Sequence, residues 1–321
     1  VEAVVEDMKV KKDVFSQLNS VAKPDAVLAS NTSCLSIAQM SQAVTNKGRV
    51  VGIHFFNPVH RMPLVEIIRT AETSGEAIAA IVEFSKRIGK TPIVVKDSCG
   101  FLINRILLPY LNEAGFMLED GISFERIDEI MLRFGMPMGP FALMDEIGLD
   151  VGYKVALILE ENFGQRMKAA EILKKVYNQK WLGKKTGKGF YVHPAPARRS
   201  GVHKGKDKKP NKEIYNFISG HAKVTLSNED ILQRMLYRML NEAALCLEEA
   251  VCLEASDIDI GMLMGIGFPP FRGGLLRYAD SIGCERIAAD LERFKEKFNA
   301  QYFSPCNYLV ELAKKKEGFY K

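Results

Sequence analysis

A histidine and a carboxylate lie close enough in this sequence to carry out acid–base chemistry. His54 opens the run His54-Phe55-Phe56-Asn57-Pro58 at the end of a Val- and Ile-rich stretch, residues 49–56. Glu66 sits inside the next such stretch, residues 64–69. Two neighbouring strands bring such a pair face to face. A carboxylate against an imidazole fixes its tautomer and raises its basicity, which is what a general base near neutral pH needs. A lone histidine at a strand end is more often structural. Glu66 in an otherwise apolar strand shifts that balance, because an unpaired buried carboxylate is expensive. Polar residues also stand in Ser30-Asn31-Thr32-Ser33, at Asn104 in Gly100-Phe101-Leu102-Ile103-Asn104-Arg105, and at Glu6 and Lys11. Each has a plainer reading. Ser33 would cap a helix starting near Ser36, Asn104 would be an exposed helix position, and Lys11 would share a solvated face with Lys9 and Lys12. His60 has no evident role. His193, His203 and His221 fall in loops or a basic stretch without metal-ligand spacing.

The elements that must position these groups are alternating strands and helices over residues 1–96. Val1–Val5 is a candidate strand, and residues 7–22 place Met8, Val10, Phe15, Leu18 and Val21 at helical spacing. A strand at 26–30 and those at 49–56 and 64–69 follow. A helix at 73–89 and a strand at 91–95 complete the pattern, which predicts a parallel α/β sheet. From Gly100 the strand signal stops. Helix-period residues fill 101–119, 123–133, 140–162 and 167–178, broken at Gly121, Gly135-Met136-Pro137 and Gly164. Residues 181–193 are turn-rich; Gly183 to Gly189 follow no strand and lack phosphate-loop spacing. A second helical block covers 228–316. Leu111-Asn112-Glu113-Ala114 recurs as Leu240-Asn241-Glu242-Ala243, and Ile127-Asp128 as Ile258-Asp259. The corner Phe134-Gly135-Met136-Pro137 recurs as Ile266-Gly267-Phe268-Pro269. The spacing stays near 130 residues, which points to an internal duplication.

Bulk composition is that of a globular protein: 321 residues, 47% hydrophobic, 26% charged, net charge +5. No apolar run reaches a membrane-spanning length. Residues 1–6 do not form a signal peptide. The six cysteines are scattered, with no C-x-x-C pair, which points to reduced thiols in an intracellular setting. The sequon Asn31-Thr32-Ser33 carries little weight without a secretion signal. Arg198, Arg199, Lys204, Lys206, Lys208, Lys209 and Lys212 concentrate the basic excess in a stretch read as a solvated linker. No aromatic residue is interleaved there, which argues against nucleic acid.

Taken together, Ser30 to Ser33, His54 to Pro58 with Glu66, and Gly100 to Arg105 resemble, in order and spacing, the motif series of the 3-hydroxyacyl-CoA dehydrogenases. The resemblance implies His54 as catalytic base, Glu66 orienting it, and Ser33 and Asn104 hydrogen-bonding the reacting oxygen or thioester carbonyl. It implies Asn57 supporting the His54 loop and substrate, and Glu6, Lys11 and Asn31 on the NAD side, with no metal. It further implies a partial Rossmann-like NAD-binding domain, its second half, at 1–96. Helical dehydrogenase domains would follow at 97–195 and 226–321, joined by a basic linker at 196–225. The family's G-x-G-x-x-G fingerprint is absent from these residues. The expectation is therefore a fragment that binds NAD weakly or not at all and is inactive alone. The duplicated block resembles multifunctional fatty-acid β-oxidation enzymes, with an enoyl-CoA hydratase region upstream and a thiolase subunit as candidate partner. Phe268 to Gly274 and the closing Gly318-Phe319-Tyr320-Lys321 resemble that type too. The terminus is not a peroxisomal S-K-L address, leaving bacterial cytoplasm or a mitochondrion. Competing readings are a free-acid dehydrogenase, with Arg61 the one nearby cation for a carboxylate, and a non-catalytic acyl-CoA-binding or scaffold module.

Overall fold

The structure, a computed structural model, describes residues 1–194, 208–218 and 224–320. The α/β segment runs α1 (Met8–Val21), β1 (Leu28–Ser30), α2 (Ile37–Ser41), β2 (Val50–Phe55), β3 (Leu64–Arg69), α3 (Gly75–Arg87) and β4 (Thr91–Lys96). The first helical copy holds α4 (Ile103–Glu119), α5 (Phe124–Phe134), α6 (Pro140–Ile147), α7 (Leu149–Phe163) and α8 (Glu171–Asn178). A small hairpin follows, β5 (Tyr191–Val192) with β6 (Lys209–Pro210). The second copy holds α9 (Asn228–Glu248), α10 (Ala255–Gly265), α11 (Leu275–Ile282), α12 (Cys284–Phe298) and α13 (Asn307–Lys315). The chain divides into two compact units, each drawing on both helical copies. One comprises Val1–Ile106, Leu240–Ala289 and Pro305–Lys321, the other Leu107–Met239 and Asp290–Ser304.

In the first unit the sheet has the order β1-β2-β3-β4. It is mixed, not parallel throughout: β1–β2 and β3–β4 are parallel, whereas β2–β3 is antiparallel. The chain between Phe55 and Leu64 is too short for the crossover a parallel pair demands, so it must return as a hairpin. Val1–Val5 is not a strand; Glu2 alone makes a parallel bridge, to Ser30. One sheet face buries Ala29, Val51, Ile53, Val65 and Ile67 with Ile81 of α3. That helix starts on the Ser74 cap and ends on Lys86 and Arg87, which suits its dipole. Helix α1 starts on Asp7, which accepts from the Val10 amide. Its inward residues are Lys11 and Phe15, while Val10 and Val21 are exposed. Hydrophobicity alone therefore misjudged its buried face.

The predicted helix at 140–162 is two helices, α6 and α7, because Gly148 adopts φ +96 between them. Likewise the residues before α8 form a separate 3-10 turn, Gly164–Met167. In the second unit, part of the expected linker is ordered structure. Lys209 pairs with Val192, Asn211 and Ile214 are buried, Lys208 lies over the Tyr191 ring, and Lys212 meets Glu125 at 2.5 Å. Arg198, Arg199, Lys204, Lys206, His203 and His221 lie outside the described residues.

The same contacts occur twice. Asp128 accepts from the Phe141 and Ala142 amides at the start of α6 and from the Tyr191 hydroxyl. Asp259 accepts from Leu276, Arg277 and the Tyr320 hydroxyl. Asp145 binds the amides of Phe190 and Tyr191, as Asp280 binds those of Phe319 and Tyr320. In each copy a carboxylate caps the N-terminal amides of a following helix. Gly139 and Gly274 leave room for those carboxylates: an added Cβ would fall 2.2 Å from Asp128 and 2.3 Å from Asp259.

Candidate active site

The β2–β3 register sets His54 directly opposite Glu66. Opposed residues of an antiparallel pair project to the same face, so the two side chains meet. Their face is the one turned away from Ile53 and Ile67. His54 Nδ1 lies 2.7 Å from Glu66 Oε2, and Glu66 is fully buried. The other carboxylate oxygen, Oε1, accepts from the backbone amides of Leu102 and Ile103, each at 3.0 Å. These amides open α4, where helix N–H groups have no intrahelical acceptor and the dipole favours a negative charge. Gly100 (φ +73) and Phe101 (φ +52) turn the chain so that both amides aim at Glu66. With Oε1 saturated by two donors, Nδ1 donates to Oε2, and Nε2 keeps its lone pair. The rings of Phe56 and Phe101 stand 4.6 and 5.8 Å from the imidazole, walling it with apolar surface.

Asn104, one residue further along α4, donates from Nδ2 to the Ser33 carbonyl at 3.1 Å. It is therefore not a free surface amide. Ser33 does not cap α2; Ser36 does, accepting from the Gln39 amide and donating to Asp97. The Ser33 amide instead donates to Glu6 Oε1 at 2.9 Å, beside the Thr32 hydroxyl at 2.6 Å. Asn31 Oδ1 accepts from the Phe55 amide, tying the end of β1 to the end of β2. Lys11 is wholly buried, which excludes a solvated face. Its ammonium contacts Glu2 at 3.0 Å, Glu6 at 3.6 Å and the carbonyls of Val4 and Asn31. Asn57 is exposed in the loop after β2, as are His60 and Arg61. The Cys34 thiol, buried and beside Glu6, is pushed up to about 12 by desolvation first and by that carboxylate second.

Sequence reasoning brought together His54, Glu66, Ser33 and Asn104, and also the Glu6–Lys11–Asn31 group. It gave no role to Glu2, to the Leu102 and Ile103 amides, or to Arg105. Backbone amides carry no side-chain signature, although a helix start just after Gly100 is legible. His193 was read as a loop residue. It lies 2.8 Å from Asp145 in the second unit, where Asp145 also binds two amides. No group of three His, Cys, Asp or Glu residues suited to a metal occurs among the described residues.

The hydrogen-bonding groups around Ser30 to Ser33 are of the kind that bind a dinucleotide such as NAD. They sit at the carboxyl end of β1, which is parallel to β2, with the Glu6 side chain 40% exposed there. A glycine turn for the pyrophosphate is not among these residues.

Comparison with known proteins gives the family. Residues 1–98 match the 3-hydroxyacyl-CoA dehydrogenase NAD-binding domain. Residues 100–193 and 231–320 match the 3-hydroxyacyl-CoA dehydrogenase C-terminal domain, so that domain's pattern occurs twice. Among solved structures, 3-hydroxybutyryl-CoA dehydrogenase from Escherichia coli is 26% identical with a TM-score of 0.82, covering 98% of this chain and 81% of its own. The dehydrogenase part of multifunctional enzyme 1 from C. elegans is 31% identical with a TM-score of 0.65, covering 97% of this chain and 70% of its own. (S)-3-Hydroxybutyryl-CoA dehydrogenase from Ralstonia eutropha is 41% identical with a TM-score of 0.59, over 60% of this chain and 69% of its own. The first segment is thus of the Rossmann-like NAD-binding type, the helical remainder is of the C-terminal type, and the chain belongs to the 3-hydroxyacyl-CoA dehydrogenase family, whose members are NAD-dependent oxidoreductases.

Proposed function

We propose that this chain supplies the site that, within the protein that carries it, catalyses the reversible oxidation of L-3-hydroxyacyl-CoA thioesters to 3-ketoacyl-CoA in fatty-acid β-oxidation. The observation that carries the proposal is the 2.7 Å His54–Glu66 contact, with Glu66 held from behind by two helix-start amides. His54 Nε2 takes the proton of the 3-hydroxyl as the C–H bond at C3 releases its hydride. NAD, when bound, supplies the acceptor for that hydride. In the reverse direction His54 returns the proton to the carbonyl oxygen. Glu66 holds the imidazole tautomer and offsets the positive charge that forms on the ring. The Phe56 and Phe101 rings exclude water from it. In this reading the Ser33 hydroxyl and the Asn104 side chain hydrogen-bond the reacting oxygen and thioester carbonyl, and Asn57 supports the substrate from the loop after β2. Glu6, Lys11 and Asn31 shape the cofactor side. General-base assistance of this kind is worth roughly 10²–10⁴-fold.

The multifunctional context is part of the same proposal. Its support is the twice-used helical block and the multifunctional-enzyme relative, which aligns over 97% of this chain. The test is acetoacetyl-CoA reduction by NADH in the protein that carries this chain, assayed with and without His54→Ala. Activity lost with His54 supports the reading. Activity that survives His54→Ala, or none in the unaltered protein alongside retained acyl-CoA binding, overturns it in favour of a non-catalytic acyl-CoA module. Crotonyl-CoA hydration by the same purified protein tests for the hydratase.

A further inference from the structure

The second helical copy contains no catalytic pair of its own, yet within the first unit it grips the segment that holds Glu66. Arg105 follows directly on the Leu102 and Ile103 amides and on Asn104. Its guanidinium is fully buried. Nε meets Glu242 Oε1 at 2.7 Å, and one terminal nitrogen meets Glu249 Oε2 at 2.7 Å and the Ser98 hydroxyl at 3.2 Å. Glu242 and Glu249 belong to α9 and its C-terminal edge. Two carboxylates from the second copy therefore clamp the first turn of α4. An independent contact acts on the same turn. On α10, Gly261 and Gly265 face Ile103 and Leu64: an added Cβ would lie 2.5 Å from Ile103 Cδ1 at Gly261 and 2.7 Å from Leu64 Cδ2 at Gly265. The α10 backbone thus lies directly on Ile103, whose amide donates to Glu66, and on the strand that bears Glu66.

We infer that Arg105 and Glu242 are positioning residues for the dehydrogenase reaction. Through them the second helical copy holds the α4 amides on Glu66, and so holds the His54 imidazole in its productive orientation. The inference rests on the proposed role of His54. Loosening the clamp lets the first turn of α4 retreat, leaves Glu66 Oε1 without its donors, and allows the carboxylate to rotate away from Nδ1. A shift of the order of 1 Å at such a site costs up to about 100-fold in rate.

The molecule contains its own control. In the second unit Arg234 meets Glu113 at 2.5 Å and Asp120 at 2.9 Å, the same chemistry from the matching positions of the repeat, with no proposed catalytic group attached. The experiment compares Glu242→Gln with Glu113→Gln in the intact protein. Three readouts are taken: thermal stability, kcat and KM for acetoacetyl-CoA reduction across pH, and the ring ¹⁵N shifts of His54, assigned by their loss in His54→Ala. Both variants should lose similar stability. Glu242→Gln should lower kcat by about 10- to 100-fold with KM nearly unchanged, move the acid limb of the kcat–pH profile, and alter the His54 ring shifts. Glu113→Gln should do none of these three. Glu249→Gln, at a side chain 41% exposed, provides a milder variant should Glu242→Gln fail to fold. Unchanged His54 shifts in both clamp variants would overturn the inference even if the protein proved inactive, as would equal loss of kcat in the Glu113 control. Inactivity of the unaltered protein with shifts that respond to Glu242→Gln would instead count against the proposed reaction alone.

Discussion

Replacing Glu66 by glutamine changes one atom and tests the core of the site. The new side chain keeps an oxygen for the Leu102 and Ile103 amides, which sit 3.0 Å from Oε1. The fold therefore loses only the charge-assisted part of those bonds, about 1–2 kcal/mol. The atom now 2.7 Å from His54 Nδ1 becomes an NH₂ donor. Two donors cannot face each other, so the ring adopts the other tautomer, with Nδ1 accepting and Nε2 carrying the hydrogen. A protonated Nε2 cannot take the 3-hydroxyl proton. The expected loss is the general-base contribution, roughly 10²–10⁴-fold in kcat, or about 2.7–5.4 kcal/mol of barrier. KM should change little, because the lost interaction acts in the transition state. The assay is acetoacetyl-CoA reduction followed by nicotinamide absorbance, with folding checked by thermal melt. A kcat within about threefold of the unaltered protein, while His54→Ala is inactive, would refute the tautomer argument.

Other expectations follow from burial and packing. Asp128 is buried, and desolvation pushes its carboxyl from 3.8 up to about 6 despite the Tyr191 and Phe141 hydrogen bonds. The native state therefore binds the extra proton between those values, and stability should fall as pH rises through the window, by up to about 1.4 kcal/mol per unit. Urea melts of the unaltered protein and of Asp128→Asn across that range should diverge; parallel curves would reject the account. Gly189→Ala would place a Cβ 2.0 Å from Asp145 Oδ1 and 2.8 Å from Gly183 Cα. It should cost about 2–4 kcal/mol. Gly75→Ala, with nothing within 4 Å of the added atom, should be neutral or stabilise by about 0.5 kcal/mol. Equal melting temperatures for the two variants would contradict this. Cys34, its thiol held near 12 by burial and Glu6, should resist iodoacetamide at neutral pH until the protein is denatured. Peptide mass analysis showing labelling of the native protein would count against it.

Much of the site was legible because its chemistry sits in contiguous runs. His54 and Glu66 lie on two strands that periodicity alone identifies, and a short connection forces those strands into an antiparallel pair. The antiparallel direction of that one pair was nevertheless missed, because alternating strands and helices elsewhere, which do give the parallel β1–β2 and β3–β4 pairs, outweighed the length of the connection. The internal duplication was also readable, since Ile127-Asp128 and Ile258-Asp259 each precede a Gly-x-Pro corner by nearly the same distance. Burial was harder to foresee. Lys11 looked like a member of a charged run, and only the folded chain surrounds it with Glu2, Glu6 and two carbonyls.

The amino-acid order by itself determined most of the strands and helices, the doubled helical block and the histidine–carboxylate pair proposed for the chemistry, because these depend on local periodicity and side-chain type. The tertiary structure decided what surrounds them. The Leu102 and Ile103 amides have no side-chain signature, and Arg105 meets Glu242 and Glu249 across a separation of more than a hundred residues. A partner that distant is chosen by packing, which no local pattern encodes.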